Sequence, residues 1–105
     1  MDFQLPPSLE TAQSVADLFS AFSDPRRVQL IAVLVQRGEA SVGDLAEAVG
    51  LTLPAASHHL RLLLRLRLVR TRKEGRQVFY ALDDDHVAHL FYSGLEHVGE
   101  KAQGK

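Results

Sequence analysis

The chain has 105 residues, no cysteine and a formal net charge of −1. That length suits one domain (residues 1–105), large enough for a core and small enough to profit from a partner. The composition excludes disulfides, thiolate metal sites and thiol redox switches, so any metal site uses nitrogen and oxygen; no apolar run reaches the roughly 18 residues of a membrane span, and the N-terminus lacks the basic flank of a secretory signal, which makes a cytoplasmic protein the expectation.

Residues 1–8 contain Pro6-Pro7 and read as an extended arm. Ser8 or Thr11 can cap a first helix ending near Phe22, with Val15, Leu18, Phe19 and Phe22 on one face, available to its own domain or to a second copy. Ser23-Asp24-Pro25 is a helix start, a capping residue followed by proline in the first turn. The helix that follows carries Val28, Leu30, Ile31, Val33, Leu34 and Val35, is too apolar to be exposed, and ends at Arg37-Gly38. Residues 39–42 can add a short strand.

Residues 41–82 are the stretch that organises the rest. Leu45, Ala46 and Val49 fall at helical spacing, and Gly50 sits where a helix ends and the chain turns. Thr52 caps a second helix, and Pro54 falls in its first turn, where a missing N–H does little harm. Leu60, Leu63 and Leu64 form its buried face at i, i+3, i+4, while Ser57, His58, Arg61 and Arg65 lie mostly elsewhere. Helix, turn and a helix with a polar face is the layout that inserts into a DNA major groove. A hairpin follows, residues 68–71 against 77–82, turning at Glu74-Gly75 and carrying Arg70, Arg72, Lys73 and Arg76. The expected fold is mainly α with a small β-hairpin, a winged helix-turn-helix. Asp83-Asp84-Asp85 then caps a last helix from about His86 to Val98 or a little beyond, with residues 101–105 fraying.

The near-neutral net charge hides a division. Residues 61–76 hold seven basic side chains and one acid, whereas residues 83–100 hold five acids and no Lys or Arg. A polyanion is drawn to the first part and repelled by the second. A basic helix followed directly by a basic hairpin favours nucleic-acid binding over a merely solvated face.

Taken together, FSDPRRVQLIAVL (with Asp24, Pro25 and Arg27), LTLPAASHHLRLLLRLRLV and RTRKEGRQVFYAL resemble the second helix, the helix-turn-helix and the wing of the ArsR/SmtB family of bacterial metal-responsive repressors. The resemblance spans residues 16–100 and is most specific at Ser57-His58-His59-Leu60. It implies a winged-helix homodimer whose first and last helices form the interface, bound to double-stranded operator DNA. Ser57, His58, Arg61, Arg65, Arg70, Arg72, Lys73 and Arg76 are the candidate DNA contacts. Where many relatives carry polar residues early in the recognition helix, this chain has Leu53 and Pro54, which leaves the base-specific contacts open.

His58 and His59 are adjacent on a helix and point about 100° apart, a poor chelating pair; one can contact DNA while the other packs inward. The last helix differs. Asp84, His86, His97 and Glu100 form D-x-H, ten residues, then H-x-x-E. Eleven residues return to within about 20°, so His86 and His97 share a face, yet they lie about 16 Å apart along the axis. Zinc ligands sit only about 2 Å from the metal, so one copy cannot close the site. Two such helices paired antiparallel about a two-fold axis near Phe91 and Tyr92 bring His86 opposite the second copy's His97 and Asp84 opposite its Glu100, giving two shared sites. Val87, Leu90, Phe91, Leu95 and Val98 would supply the apolar contact alongside. The arrangement resembles the zinc-sensing subset of the family; His89 is not in that pattern. The donor set suits Zn(II), Co(II) fits similarly, and ligand type alone does not exclude Ni(II).

The expectation is therefore a repressor that binds its operator as a metal-free homodimer and is released by Zn(II), a direction that the resemblance implies. His97 is the candidate relay, because its second ring nitrogen can bond to backbone near the end of the recognition helix, whereas Asp84 has no evident path there. The alternative is a DNA-binding regulator of the same fold that answers a non-metal signal. A zinc hydrolase needs an open coordination position and a substrate pocket; a two-histidine, two-carboxylate site closes itself, and no nucleophile motif is present. A winged-helix protein-interaction module is disfavoured by the basic helix and wing.

Overall fold

The computed structural model describes residues 2–102, and the side chains of residues 2–99. The order is α1 (Leu9–Ser20), a 3-10 turn (Ala21–Ser23), α2 (Pro25–Arg37), β1 (Ala40–Ser41), α3 (Val42–Val49), α4 (Leu53–Arg65), β2 (Val69–Glu74), β3 (Gln77–Leu82) and α5 (Asp85–Ala102). Each α-helix begins at a short polar side chain that takes up a first-turn N–H. Ser8 accepts from Thr11 N at 3.1 Å, Asp24 from Arg26 N at 2.8 Å, Ser41 from Asp44 N at 3.2 Å, Thr52 from Ala55 N at 3.3 Å and Asp84 from His86 N at 2.9 Å. The Arg26 N–H, more than any other partner, holds the Asp24 carboxyl below its ordinary range.

The core gathers Leu30, Ile31 and Leu34 of α2 with Leu45 of α3, Leu60 and Leu63 of α4, and Leu68, Val69, Tyr80 and Val87 beyond them. The central position expected for α2 holds: it packs on α3, α4, α5 and β3. The sheet has the order β1-β3-β2, antiparallel throughout, so residues 40–41 join the wing as expected, Ala40 opposite Tyr80. Its outer strand β2 is exposed from Arg70 onward.

Two expectations need correction. The hairpin turn falls at Gly75-Arg76, not Glu74-Gly75, because Glu74 still pairs with Gln77 in the ladder; Gly75 supplies the left-handed φ of 63° that a two-residue turn demands. Leu64 is 39% exposed, since Ala56, Leu60 and Leu63 form the buried seam and Leu64 lies about 70° off its centre. Of the apolar face expected near the first helix, Leu18 and, in the 3-10 turn, Phe22 pack against the core, while Val15 and Phe19 stay exposed and no α1 residue is fully buried.

Leu60→Ala should destabilise the protein by about 2–5 kcal/mol, the cost of an unfilled core site. Leu64→Ala should cost roughly 1 kcal/mol or less. Urea denaturation of both variants at one protein concentration checks the contrast; equal losses would place Leu64 in the seam.

Candidate DNA interface and metal-ligand positions

α3 ends at Gly50 in the left-handed conformation (φ 70°), and the Leu51 N–H donates to the Ala46 carbonyl at 2.9 Å. This tight turn delivers Thr52 as the cap of α4. Arg26 donates to the Val49 carbonyl at 2.6 Å, tying the start of α2 to the end of α3. The Asp-Pro-x-Arg stretch thereby gains a structural account. Asp24 caps α2 and Pro25 opens it, while Arg27 donates to the carbonyls of Ala21 (3.0 Å) and Ser20 (3.1 Å) at the end of the preceding helical segment.

With Leu60 and Leu63 buried, α4 turns His58, Arg61 and Arg65 to solvent, Ser57 half-buried beside them. Leu53 is 56% exposed and Pro54 is exposed, so the first turn presents an apolar tip. His59 turns inward, and its Nδ1 is buried without a hydrogen-bond partner among the described residues. The two histidines thus divide as expected, one out and one in.

The wing cations are not equivalent. Arg72 forms a fork on Glu39, with Nε and Nη2 each 2.8 Å from a carboxylate oxygen, and its guanidinium lies 4.7 Å from the centre of the Phe79 ring. The Arg72 hydrogen bond pulls the Glu39 carboxyl below its usual range, and the same bond raises Arg72. Arg72 is already neutralised, a state sequence reasoning missed because Glu39 stands 33 residues away. Arg70 donates to the Asp83 carbonyl at 3.0 Å. Among the described residues, Arg61, Arg65, Lys73 and Arg76 make no ion pair.

Of the metal-ligand candidates, Asp84 and His86 stand together at the start of α5, His86 Nδ1 being 3.5 Å from Asp84 Oδ1. Both are exposed, as are His89 and His97 farther along the helix. The Glu100 side chain lies outside the described residues. No three ligating side chains converge within the chain among the described residues. The donor set fits a divalent ion only if a second chain completes it, since His86 and His97 are about 16 Å apart along α5. His97 makes no hydrogen bond among the described residues, and α5 packs chiefly on α2 and β3.

Residues 24–71 match the bacterial regulatory protein, arsR family. Over 93 residues the chain is 44% identical to a transcriptional repressor SmtB homolog of Synechocystis, covering 89% of this chain and 70% of that protein. The chain belongs to the arsR family. It is also 42% identical over 93 residues to a cadmium resistance transcriptional regulatory protein CadC homolog of Staphylococcus aureus, covering 89% and 77% of the two. Its fold is similar to the homodimeric winged helix-turn-helix DNA-binding domain Mb0332 of Mycobacterium bovis, with a TM-score of 0.86 and 30% identity over 100% of this chain and 96% of that one. As an arsR family member the chain is a winged-helix transcriptional regulator that binds DNA, not an enzyme. No helix among the described residues is long and apolar enough to cross a membrane.

Lys73→Ala and Arg76→Ala should each reduce the slope of log affinity for duplex DNA against log salt by about 0.9, one phosphate's worth. Arg72→Ala should change that slope less than either, because Glu39 already occupies the guanidinium, yet lower affinity across sequences by freeing the Glu39 charge beside the wing. Fluorescence anisotropy across a salt series measures all three.

Proposed function

We propose that this arsR family member is a cytoplasmic, metal-responsive repressor: a metal-free homodimer on its operator, released when Zn(II) occupies two sites shared between the protomers. The observation that carries this reading is the pairing of Asp84 with His86 at the exposed start of α5, with His97 on the same face eleven residues on. Asp84 and His86 would supply two of four ligands, and residues 97 and 100 of another copy the other two. The neighbouring surface suits that copy, since Phe19, Tyr92, Leu95 and Val98 are each at least half exposed. The similarity to an SmtB homolog and a cadmium-resistance regulator supports an inorganic effector. Co(II) and Ni(II) fit the same nitrogen and oxygen donors.

Ser57, His58, Arg61 and Arg65 would face the groove while Lys73 and Arg76 grip flanking phosphates, with Arg70 beside them at the wing root. Bound Zn(II) would supply a double positive charge joining residues 84 and 86 of one protomer to residues 97 and 100 of the other. The protomers would thereby be held in an arrangement whose recognition helices match the operator poorly. Release requires tighter metal binding off DNA than on it, and DNA must then weaken metal binding by the same factor.

Mixed dimers test the shared site. Asp84→Asn/His86→Asn homodimers and His97→Asn homodimers should both lose zinc-driven release from DNA while still binding DNA without metal. A heterodimer of the two variants regenerates one intact site of the two and should recover one zinc per dimer, read by metal titration. Recovery of none would show that the site is not shared. Sedimentation of the parent should give a dimer at micromolar concentration without zinc; a monomer would contradict the assembly.

A further inference from the structure

The backbone of Asp83, next to the proposed ligand Asp84, is held from both sides by the segment that follows the recognition helix. Its N–H donates to the Leu68 carbonyl at 2.9 Å, and its carbonyl accepts from Arg70 Nη1 at 3.0 Å. Leu68 in turn donates its N–H to the Leu63 carbonyl of α4 at 3.0 Å. A continuous series of hydrogen bonds therefore runs from the start of α5 through Leu68 into the recognition helix, and a branch through Arg70 enters the wing. Leu68 and Val69 are fully buried, so the Leu68 side of this junction is held by packing, while the Arg70 bond to Asp83 lies at the surface. Between its two ends the chain turns at Arg67 in a left-handed conformation (φ 63°), which costs a non-glycine residue on the order of 1 kcal/mol. The junction is thus held in one conformation by bonds whose loss would relax it.

We propose that Arg70 is a coupling residue. Its guanidinium fastens the loop bearing Asp84 to the root of the wing, and metal capture at Asp84 and His86 acts on DNA affinity through this fastening. The inference rests on the metal-responsive reading. The Asp84 carboxylate caps the His86 N–H through Oδ1 at 2.9 Å and keeps Oδ2 for a metal, so metal capture there would draw on the capped loop that Arg70 and Leu68 hold. This gives Asp84 the path to the recognition helix that spacing along the sequence does not reveal. It also places Arg70 apart from the other wing cations, as the one bound to backbone at the start of α5.

Arg70→Met keeps the alkyl stem and removes the donor; Lys73→Met removes one charge from the same strand without touching Asp83. For each variant, zinc affinity of the free dimer is measured by competition with a chelating dye, and DNA affinity with and without saturating zinc. Allosteric factors of about 5–150-fold are usual. Arg70→Met should leave zinc affinity within about twofold of the parent while shrinking the zinc-induced loss of DNA affinity about fivefold or more. Lys73→Met should weaken DNA binding equally with and without zinc. If Arg70→Met also weakens both states equally and lowers the salt slope by about 0.9, Arg70 is a phosphate contact and the coupling role is wrong. If zinc leaves the parent's DNA affinity unchanged, the functional reading fails and the coupling role falls with it. A thermal melt matching the parent's is expected, since Arg70 is exposed.

Discussion

The recognition helix can present a polar face only because Ala56, Leu60 and Leu63 anchor its opposite side, at no measurable exposure, over Leu30, Ile31 and Leu34 of α2. Interiors are packed at near-crystalline density, so such a seam fixes rotation about the helix axis as well as position. Where α4 begins is set separately, by the left-handed Gly50 and the Thr52 cap. The wing shares the same anchor, because Leu68 and Val69 enter the core immediately after α4 and Tyr80 closes over them from β3. Helix and wing therefore form one rigid reading head. As a metal-responsive dimer, the proposed regulator would have two places to act, the spacing between two such heads and the junction where α5 meets the base of the wing.

Charge is arranged to match. The basic side chains of residues 61–76 lie on α4, the hairpin and the turn between them, and the acids of residues 83–100 lie on α5 and its lead-in; the main neighbours of α5 are α2 and β3. Screening confines a surface charge's influence to about 8–10 Å at physiological salt, so the two regions share a field chiefly where Arg70 meets residues 83–85. Glu39 is the exception, a carboxylate set against the wing. Its fork with Arg72, braced by the Phe79 ring, ties the exposed strand β2 to the lead-in of β1 and orients the hairpin. The effect of this pair is geometric: it spends one positive charge to hold the hairpin that carries Lys73 on β2 and Arg76 in its turn.

Much of this was legible locally. Asp24-Pro25, Thr52 with Pro54, Gly38 and Gly50 marked helix ends by chemistry confined to a few residues, and all four ends fall where that chemistry places them. What stayed hidden depends on tertiary register. Leu64 continues the apolar spacing of Leu60, and only the packing of α4 shows that the seam runs through Ala56 instead. Arg70 and Arg72 looked alike in a basic hairpin, yet their partners are 13 and 33 residues away on different elements. The candidate metal ligands were visible as a spacing, but a spacing that no single chain can close.

That last point extends to the whole fold. The radius of gyration is 15.2 Å, against about 13 Å for a compact chain of this length. Residues 2–8 are exposed throughout, and α1 packs chiefly on the short turn that follows it and buries none of its residues completely. An amphipathic helix left in this state gains little from tertiary packing, the main source of helix stability in proteins. An apolar groove lined by Phe22, Val28, Leu90, Phe91, Leu95 and Val98 opens where the turn after α1, α2 and α5 meet. A second copy seated on α1 and α5 would cover this surface, and the proposed metal positions sit on the same helix. Two reading heads must then stand about 34 Å apart, one turn of DNA, for both to enter the major groove. Because the heads are rigid, a small rotation across paired α5 helices is carried undiminished to the recognition helices. Dimerisation and metal response would thus draw on one surface.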